Sequence, residues 1–165
     1  MTSGVLWLRS EERLTIVPDL VIDASVSVKW IIPDEPASDR AALILEDYQK
    51  GTISFLAPLF WQYEIASAIN KAVGRGKLSE PEGHDALESL LSLDMSFEPF
   101  PPPREAYTLG RRFQRGIYDS LYLALAELRG CEFWTGDLRL YNAARHRWPF
   151  VRWIADYGML LDRGR

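Results

Sequence analysis

The chain has almost none of the residues from which proteins build disulfide frameworks or zinc sites. Its 165 residues include one cysteine, Cys131, and two histidines, His84 and His146. A single cysteine excludes an internal disulfide framework and is typical of a reducing compartment. The histidines lack metal-ligand spacing, so we expect both at the surface. We expect Cys131 to be a small buried residue at the start of a strand.

Long apolar runs are also missing. No run approaches the roughly 20 residues that a membrane helix needs. The apolar residues 5–8 are few and lack a preceding basic region, so they predict neither a signal peptide nor an anchor. We therefore expect a cytoplasmic protein without a membrane partner, in which residues 1–18 form an N-terminal extension and residues 19–165 form one domain.

Positive charge is scarce overall, but it is unevenly distributed. The net charge is −4, which by itself argues against a nucleic-acid partner. Arginines nevertheless cluster locally, at Arg111, Arg112 and Arg115 and again at Arg139, Arg145, Arg147 and Arg152. Most of these are individually explained as solvated helix faces. A negative total that includes a metal-binding cluster is also compatible with a basic rim that holds phosphates.

What the chain does contain is a set of isolated carboxylates. Asp23 is the only charge between Asp19 and Lys29, and Glu64 is the only charge in residues 51–70. Asp119 is the only charge in residues 116–126, and Asp137 follows an apolar, strand-like segment through one glycine. Ionised carboxylates are costly to bury without compensation, and no basic residue lies within these runs. Four of them in one small domain indicate an external cation.

Apolar periodicity predicts alternating strands and helices. The expected strands are 20–23, 53–57, 95–99, 132–135 and 150–154, and the expected helices are 25–32, 37–50, 58–73, 79–91, 104–114, 119–129 and 138–147. This alternation predicts a parallel sheet covered on both faces. Ligands of such folds bind at the carboxyl ends of the strands. We therefore expect the four acids, which follow strands or begin helices, to meet around one cleft.

Four segments of the chain resemble the PIN-domain nucleases, in particular the VapC-type toxins of bacterial toxin–antitoxin pairs. The segments are VIDAS at 21–25, YEIASA at 63–68, YDSLYLA at 118–124 and TGDLRL at 135–140. They occur in order and in suitable structural contexts, and the match covers nearly all of the chain from residue 19 onward. The resemblance implies a three-layer α/β/α sandwich with a central parallel sheet, divalent-metal-dependent endoribonuclease activity, homodimerisation and inhibition by a small cognate antitoxin protein.

A cluster of carboxylates without histidine or cysteine favours Mg²⁺ or Mn²⁺ over zinc. We assign Asp23 and Asp119 as direct ligands, and Asp137 and Glu64 as ligands that act directly or through water. Two hydroxyl residues lie two positions from an acid and are candidates for hydrogen bonds that orient the ligands: Ser25 and Thr135.

Other interpretations of the same residues remain open. Asp23, Asp119 and Asp137 could each cap a helix. Glu64 is the hardest to explain in this way, because neither capping nor surface solvation suits its neighbours. A phosphatase-like hydrolase with Asp23 as nucleophile would need an acid where Ser25 stands. The chain could also be a catalytically idle domain that binds metal or protein, or a stand-alone nuclease without an antitoxin.

Overall fold

The computed structural model describes residues 17–32 and 34–159 and contains one five-stranded parallel sheet in the order β3-β2-β1-β4-β5. The strands are β1 (Asp19–Ile22), β2 (Ser54–Pro58), β3 (Met95–Glu98), β4 (Glu132–Thr135) and β5 (Val151–Trp153). The helices are α1 (Ala24–Ser27), α2 (Ser38–Gln49), α3 (Trp61–Gly74), α4 (Glu80–Leu91), α5 (Pro103–Phe113), α6 (Ile117–Arg129) and α7 (Leu138–Ala144). Two short 3₁₀ segments, Val28–Trp30 and Ile154–Asp156, complete the elements.

Helices cover the sheet on both faces, so the fold is the expected three-layer α/β/α sandwich. The central strands are short and almost wholly apolar because both of their faces are buried. Val21 and Ile22 of β1 are fully buried, as is Phe133 of β4. Helix α6 packs across β1, β2 and β4, and α5 packs on α6. No helix in the described part of the chain is long and apolar enough to cross a membrane.

The order of the strands places a crevice at the carboxyl end of β1. The chain proceeds from β1 to β2 and β3 on one side, and then returns to add β4 and β5 on the other side. In parallel sheets, ligands bind at such a point of reversal, just outside the carboxyl ends of the two central strands. Ile22 pairs with Trp134 in the register of β1 and β4. The residues that follow these strands therefore enter the same crevice.

Helix α3 is held against the segment after β1 by a buried hydrogen bond. The indole N–H of Trp61 donates to Oγ of Ser27 at 3.2 Å, and both side chains are fully buried. A buried indole N–H needs such a partner. Because Trp61 begins α3 and Glu64 follows one turn later, this contact fixes the position of Glu64 relative to β1.

The prediction that Pro58 opens a helix is wrong. Pro58 is the last residue of β2 and pairs with Glu98 of β3, and α3 begins only at Trp61. Proline has no N–H to donate, but the next residue, Leu59, donates to the Glu98 carbonyl at 2.8 Å and extends the strand pairing. Pro58 therefore ends a strand rather than starting a helix.

Several other element boundaries differ from the predictions. The expected helix 25–32 is a single α-helical turn that tightens into a 3₁₀ segment and ends before Ile31. Helix α6 starts at Ile117 rather than Asp119, because Gln114 takes a left-handed conformation that ends α5 and Gly116 precedes α6. Leu91, the last residue of α4, is 42% exposed.

The cysteine and the two histidines partly follow the expectations. His84 and His146 are exposed, as predicted, whereas Cys131 is only partly buried beside β4. The predicted N-terminal extension, residues 1–18, lies outside the described residues except for Val17 and Pro18.

Candidate functional site

Asp23 is buried at the end of β1, where it accepts hydrogen bonds on both carboxylate oxygens. The hydroxyl of Thr135 donates to Oδ2, and the backbone N–H of Ser25 donates to Oδ1 at 3.2 Å. The second bond makes Asp23 the N-cap of α1. Burial raises the pKa of Asp23, and the hydrogen bonds from Thr135 and Ser25 oppose that rise. The capping role predicted as an alternative is therefore real, but it engages only part of the carboxylate's acceptor capacity.

Thr135 and Ser25 join the ends of β1 and β4. The Thr135 hydroxyl, besides donating to Asp23, accepts from the backbone N–H of Asp137 at 3.0 Å. The Ser25 hydroxyl accepts from the backbone N–H of Gly136 at 2.8 Å. Two small hydroxyl side chains thus satisfy donors and acceptors on both strands, and they fix the backbone that carries Asp23 and Asp137.

Asp137 is the N-cap of α7. Its Oδ1 accepts from the backbone N–H groups of Arg139 and Leu140, at 2.8 and 3.1 Å. Its other oxygen, Oδ2, lies 4.0 Å from the guanidinium of Arg139, whose side chain is 94% exposed. The cap orients the carboxylate and leaves Oδ2 available to a ligand.

Glu64 lies in the first turn of α3 and is hydrogen-bonded to a residue that the sequence analysis did not select. The hydroxyl of Tyr122, on α6, donates to Oε2 of Glu64 at 2.6 Å. Burial raises the pKa of Glu64 to about 7, with additional increases from Asp23 and Asp119 and a decrease from the Tyr122 hydrogen bond. Tyr122 follows Asp119 by three positions on α6, and this helical spacing is the sequence signal that identifies it.

Asp119 is the third residue of α6 and does not cap it. The N-cap position belongs to Gly116, and the Asp119 carboxylate forms no hydrogen bond with any residue that the structure describes. Burial raises its pKa, the nearby Asp23 and Asp137 raise it further, and Arg115 and Arg139 lower it. A half-buried carboxylate without a hydrogen-bond donor is free to bind a cation.

The four predicted acids interact electrostatically across the crevice, each with at least two of the others. Asp23 interacts with Asp137, Asp119 with both, and Glu64 with Asp23 and Asp119. Each of these electrostatic interactions raises the pKa of Asp23, Asp119 or Glu64, as expected of neighbouring like charges. The structure therefore brings the four carboxylates, from four different elements, to one edge of the sheet.

Three basic residues border the acids. Arg115 and Arg139 interact with Asp119, and Lys29 interacts with Asp23. Lys29 follows Asp23 by six positions, but its side chain returns over the β4–α7 turn, where a Cβ at Gly136 would lie 2.6 Å from its Cε. Lys29 was not among the predicted site residues, because its approach to the site depends on β1 and β4 being neighbours.

The donor set fits a hard divalent cation. Carboxylate oxygens are the ligands that Mg²⁺ and Mn²⁺ prefer, and the crevice supplies them without histidine or cysteine. In the described residues, no three of these side chains are close enough together to hold one ion. Such an open arrangement suits Mg²⁺, which keeps several water ligands and binds through one or two carboxylates. Zinc sites, in contrast, take three or four protein ligands.

The sequence matches the family model of the PIN domain over residues 20–146. The chain therefore belongs to the PIN-domain family. Within this family it is 31% identical over 125 residues to Ribonuclease VapC1 of Mycobacterium tuberculosis, an alignment that covers 76% of this chain and 90% of the relative. It is 27% identical over 124 residues to Ribonuclease VapC3 of Pyrobaculum aerophilum, with coverage of 73% and 91%. These relatives place it with the VapC-type proteins.

A solved structure supports the fold independently. The crystal structure of PAE2754 from Pyrobaculum aerophilum superimposes with a TM-score of 0.62, covers 89% of each chain and is 19% identical in sequence. At this identity the likeness establishes the fold alone.

The pKa of Glu64 predicts how stability depends on pH in metal-free buffer. Between its ordinary value of 4.5 and about 7, the folded state holds a proton that the unfolded state has lost, so the free energy of unfolding falls as pH rises through this window. After allowance for solvent screening, we expect the loss to be about 2 kcal/mol. Glu64→Gln keeps an acceptor for Tyr122 and should lose that much of the pH dependence.

Urea unfolding at pH 5 and pH 7.5, with EDTA present, measures this difference. Glu88→Gln, at an exposed position on α4, is the matched control and should behave as wild type. Equal pH dependence in wild type and Glu64→Gln would show that the Glu64 carboxyl titrates as if it were in water.

Proposed function

We propose that this protein is a divalent-metal-dependent endoribonuclease and the toxin of a toxin–antitoxin pair. The observation that carries the proposal is the meeting of four carboxylates, with raised pKa values at Asp23, Glu64 and Asp119, at the strand-order reversal of a PIN fold. The similarity to proteins named Ribonuclease VapC1 and Ribonuclease VapC3 supports RNA as the substrate. A divalent cation bound there would polarise the phosphodiester and lower the pKa of the attacking water.

The protein's own residues prepare this site in different ways. Asp23 is held in place by the donors Thr135 and Ser25, and Glu64 is held by Tyr122. In our assignment, Asp23 and Asp119 bind the cation directly, and Asp137 and Glu64 bind it through water, because no three carboxylates of the described residues are close enough together to hold one ion. The raised pKa values of Asp23, Glu64 and Asp119 mean that cation binding displaces protons, so affinity should increase with pH.

A catalytically idle domain is the main competing function, and the chemistry of the site argues against it. Helix capping explains the positions of only two of the acids, Asp23 and Asp137. A purely structural role gives no reason to hold four carboxylates together against their mutual repulsion. Asp119 and Glu64 cap no helix. Repulsion of this kind is typical of sites where function, rather than stability, determines the residues.

Metal binding should raise thermal stability, because a cation that binds only the folded state also relieves repulsion between the carboxylates. At about a hundredfold excess of Mg²⁺ or Mn²⁺ over its dissociation constant, the gain is about 2.7 kcal/mol, or roughly 5–10 °C in the melting temperature. Calorimetry at constant ionic strength measures the shift. Melting temperatures that stay the same at millimolar metal would argue against a preformed cation site.

Asp119→Asn separates catalysis from stability. The change keeps the shape of the side chain but removes one charge from the cluster, so RNA cleavage should fall about 100-fold or more. Metal-free melting should be unchanged or slightly higher, because one repelling charge is gone. Asp85→Asn, at an exposed position on α4, is the control and should retain activity. Full activity of Asp119→Asn in a cleavage assay with Mg²⁺ would remove Asp119 from the site.

We further propose that the protein is cytoplasmic, forms a homodimer and is inhibited by a small antitoxin. The antitoxin would lay an extended or helical segment across the acidic crevice, with a basic side chain in place of the cation. Co-expression with the product of the adjacent gene, followed by a pull-down, should recover a complex and relieve a growth defect. A protein that associates only with itself and is harmless when expressed alone would instead be a stand-alone nuclease.

A further inference from the structure

Lys29 lies beside the carboxylate cluster with most of its side chain enclosed. The side chain is 7% exposed, and the only carboxylate within ion-pair distance among the described residues is Glu35, whose Oε2 lies 4.0 Å from Nζ. In the described part of the chain, the ammonium takes part in no hydrogen bond, yet it is not fully sealed from solvent. Burial accordingly lowers the pKa of Lys29, while Glu35 and Asp23 raise it.

The approach of Lys29 to the site depends on a glycine in the β4–α7 turn. A Cβ at Gly136 would lie 2.6 Å from Cε of Lys29 and 2.9 Å from the carbonyl oxygen of Ser25, so no other residue fits there without movement. Gly136 stands between Thr135 and Asp137. The alkyl stem of Lys29 therefore crosses the turn that carries one of the four acids, and the charge of its ammonium interacts with that of Asp23.

Lys77 provides a contrast within the same ion-pair group. Its ammonium donates to Oε1 of Glu35 at 3.1 Å, and its side chain is 44% exposed. Lys77 thus has a hydrogen-bonded carboxylate partner at the surface, whereas Lys29 lies 4.0 Å from Oε2 of Glu35 and forms no hydrogen bond with any described residue. An ammonium group that has free hydrogen-bond donors and lies near a cluster of carboxylates is suited to bind an anion. The anion would bind together with a metal cation, which neutralises the carboxylates.

We propose that Lys29 binds a phosphate oxygen of the RNA backbone at or next to the bond that is cleaved. This inference rests on the proposed function and extends it, because it assigns the positive charge that holds the phosphate against four carboxylates. A cation at the acids and an ammonium beside them would contact the same phosphodiester from two sides. Phosphate groups are favourable partners for a charged donor of this kind.

The experiment measures RNA binding as a function of salt. A fluorescent single-stranded RNA is titrated in Ca²⁺-containing buffer, after gel analysis has shown that the RNA stays intact. Loss of one phosphate contact reduces the slope of log affinity against log salt by about 0.7. For Lys29→Met we expect this reduction, about tenfold weaker binding at low salt, and a comparable fall in kcat/KM with Mg²⁺. Lys77→Met should change neither quantity.

A merely structural role of Lys29 would lower the melting temperature without altering the salt slope, and this result would overturn the inference. Equal losses in Lys29→Met and Lys77→Met would also overturn it, because they would reflect net charge alone. If Lys29→Met does not fold by circular dichroism, Lys29→Gln replaces it in the same measurements. A wild-type protein that neither binds nor cleaves RNA would refute the proposed function itself, whereas an active enzyme with wild-type behaviour of Lys29→Met refutes only the role of Lys29.

Discussion

The hydrogen bonds that join the ends of β1 and β4 are the constraint on which the rest of the site depends. A carboxylate as deeply buried as Asp23 is tolerated only when donors surround it, and here they come from the Thr135 hydroxyl and the Ser25 backbone. Because Thr135 also accepts from the Asp137 N–H, the same hydroxyl fixes two acids at once. Without parallel pairing of β1 and β4, these groups would not meet.

The carboxylates of the site repel one another electrostatically. Asp23, Glu64 and Asp119 all have raised pKa values, because burial and neighbouring carboxylates disfavour the charged form. The metal-free protein therefore forgoes stability that a neutral core would have, a common property of functional sites. Local packing compensates for this loss of stability. The buried hydrogen bond between Trp61 and Ser27 fixes α3 on one side of the site, and α6, which packs across three strands, fixes the other side.

The sequence predicts the central features of this molecule because they depend on local composition. Apolar strands and isolated acids can be recognised in the amino-acid sequence, so the sequence predicts both the parallel sheet and the position of the four acids at one of its edges. Pro58 was misjudged because strand pairing with β3, which is a tertiary effect, overrides the preference of proline for the first turn of a helix. Tyr122 and Lys29 were missed for a related reason: each acts on an acid of another element, and only the folded chain shows which elements are neighbours.

The distribution of charge is compatible with the proposed RNA substrate of an acidic protein. The net charge of −4 repels a polyanion at distances up to the Debye length, about 8 Å at physiological ionic strength. At contact, only the local groups matter, and Lys29, Arg115 and Arg139 border the acids on different elements. The acids at the centre suit a cation, and the basic residues around them suit phosphate oxygens. The affinity for RNA would then depend on a bound metal cation. Without it, the carboxylates would repel the phosphodiester and offset the attraction of the basic residues around them.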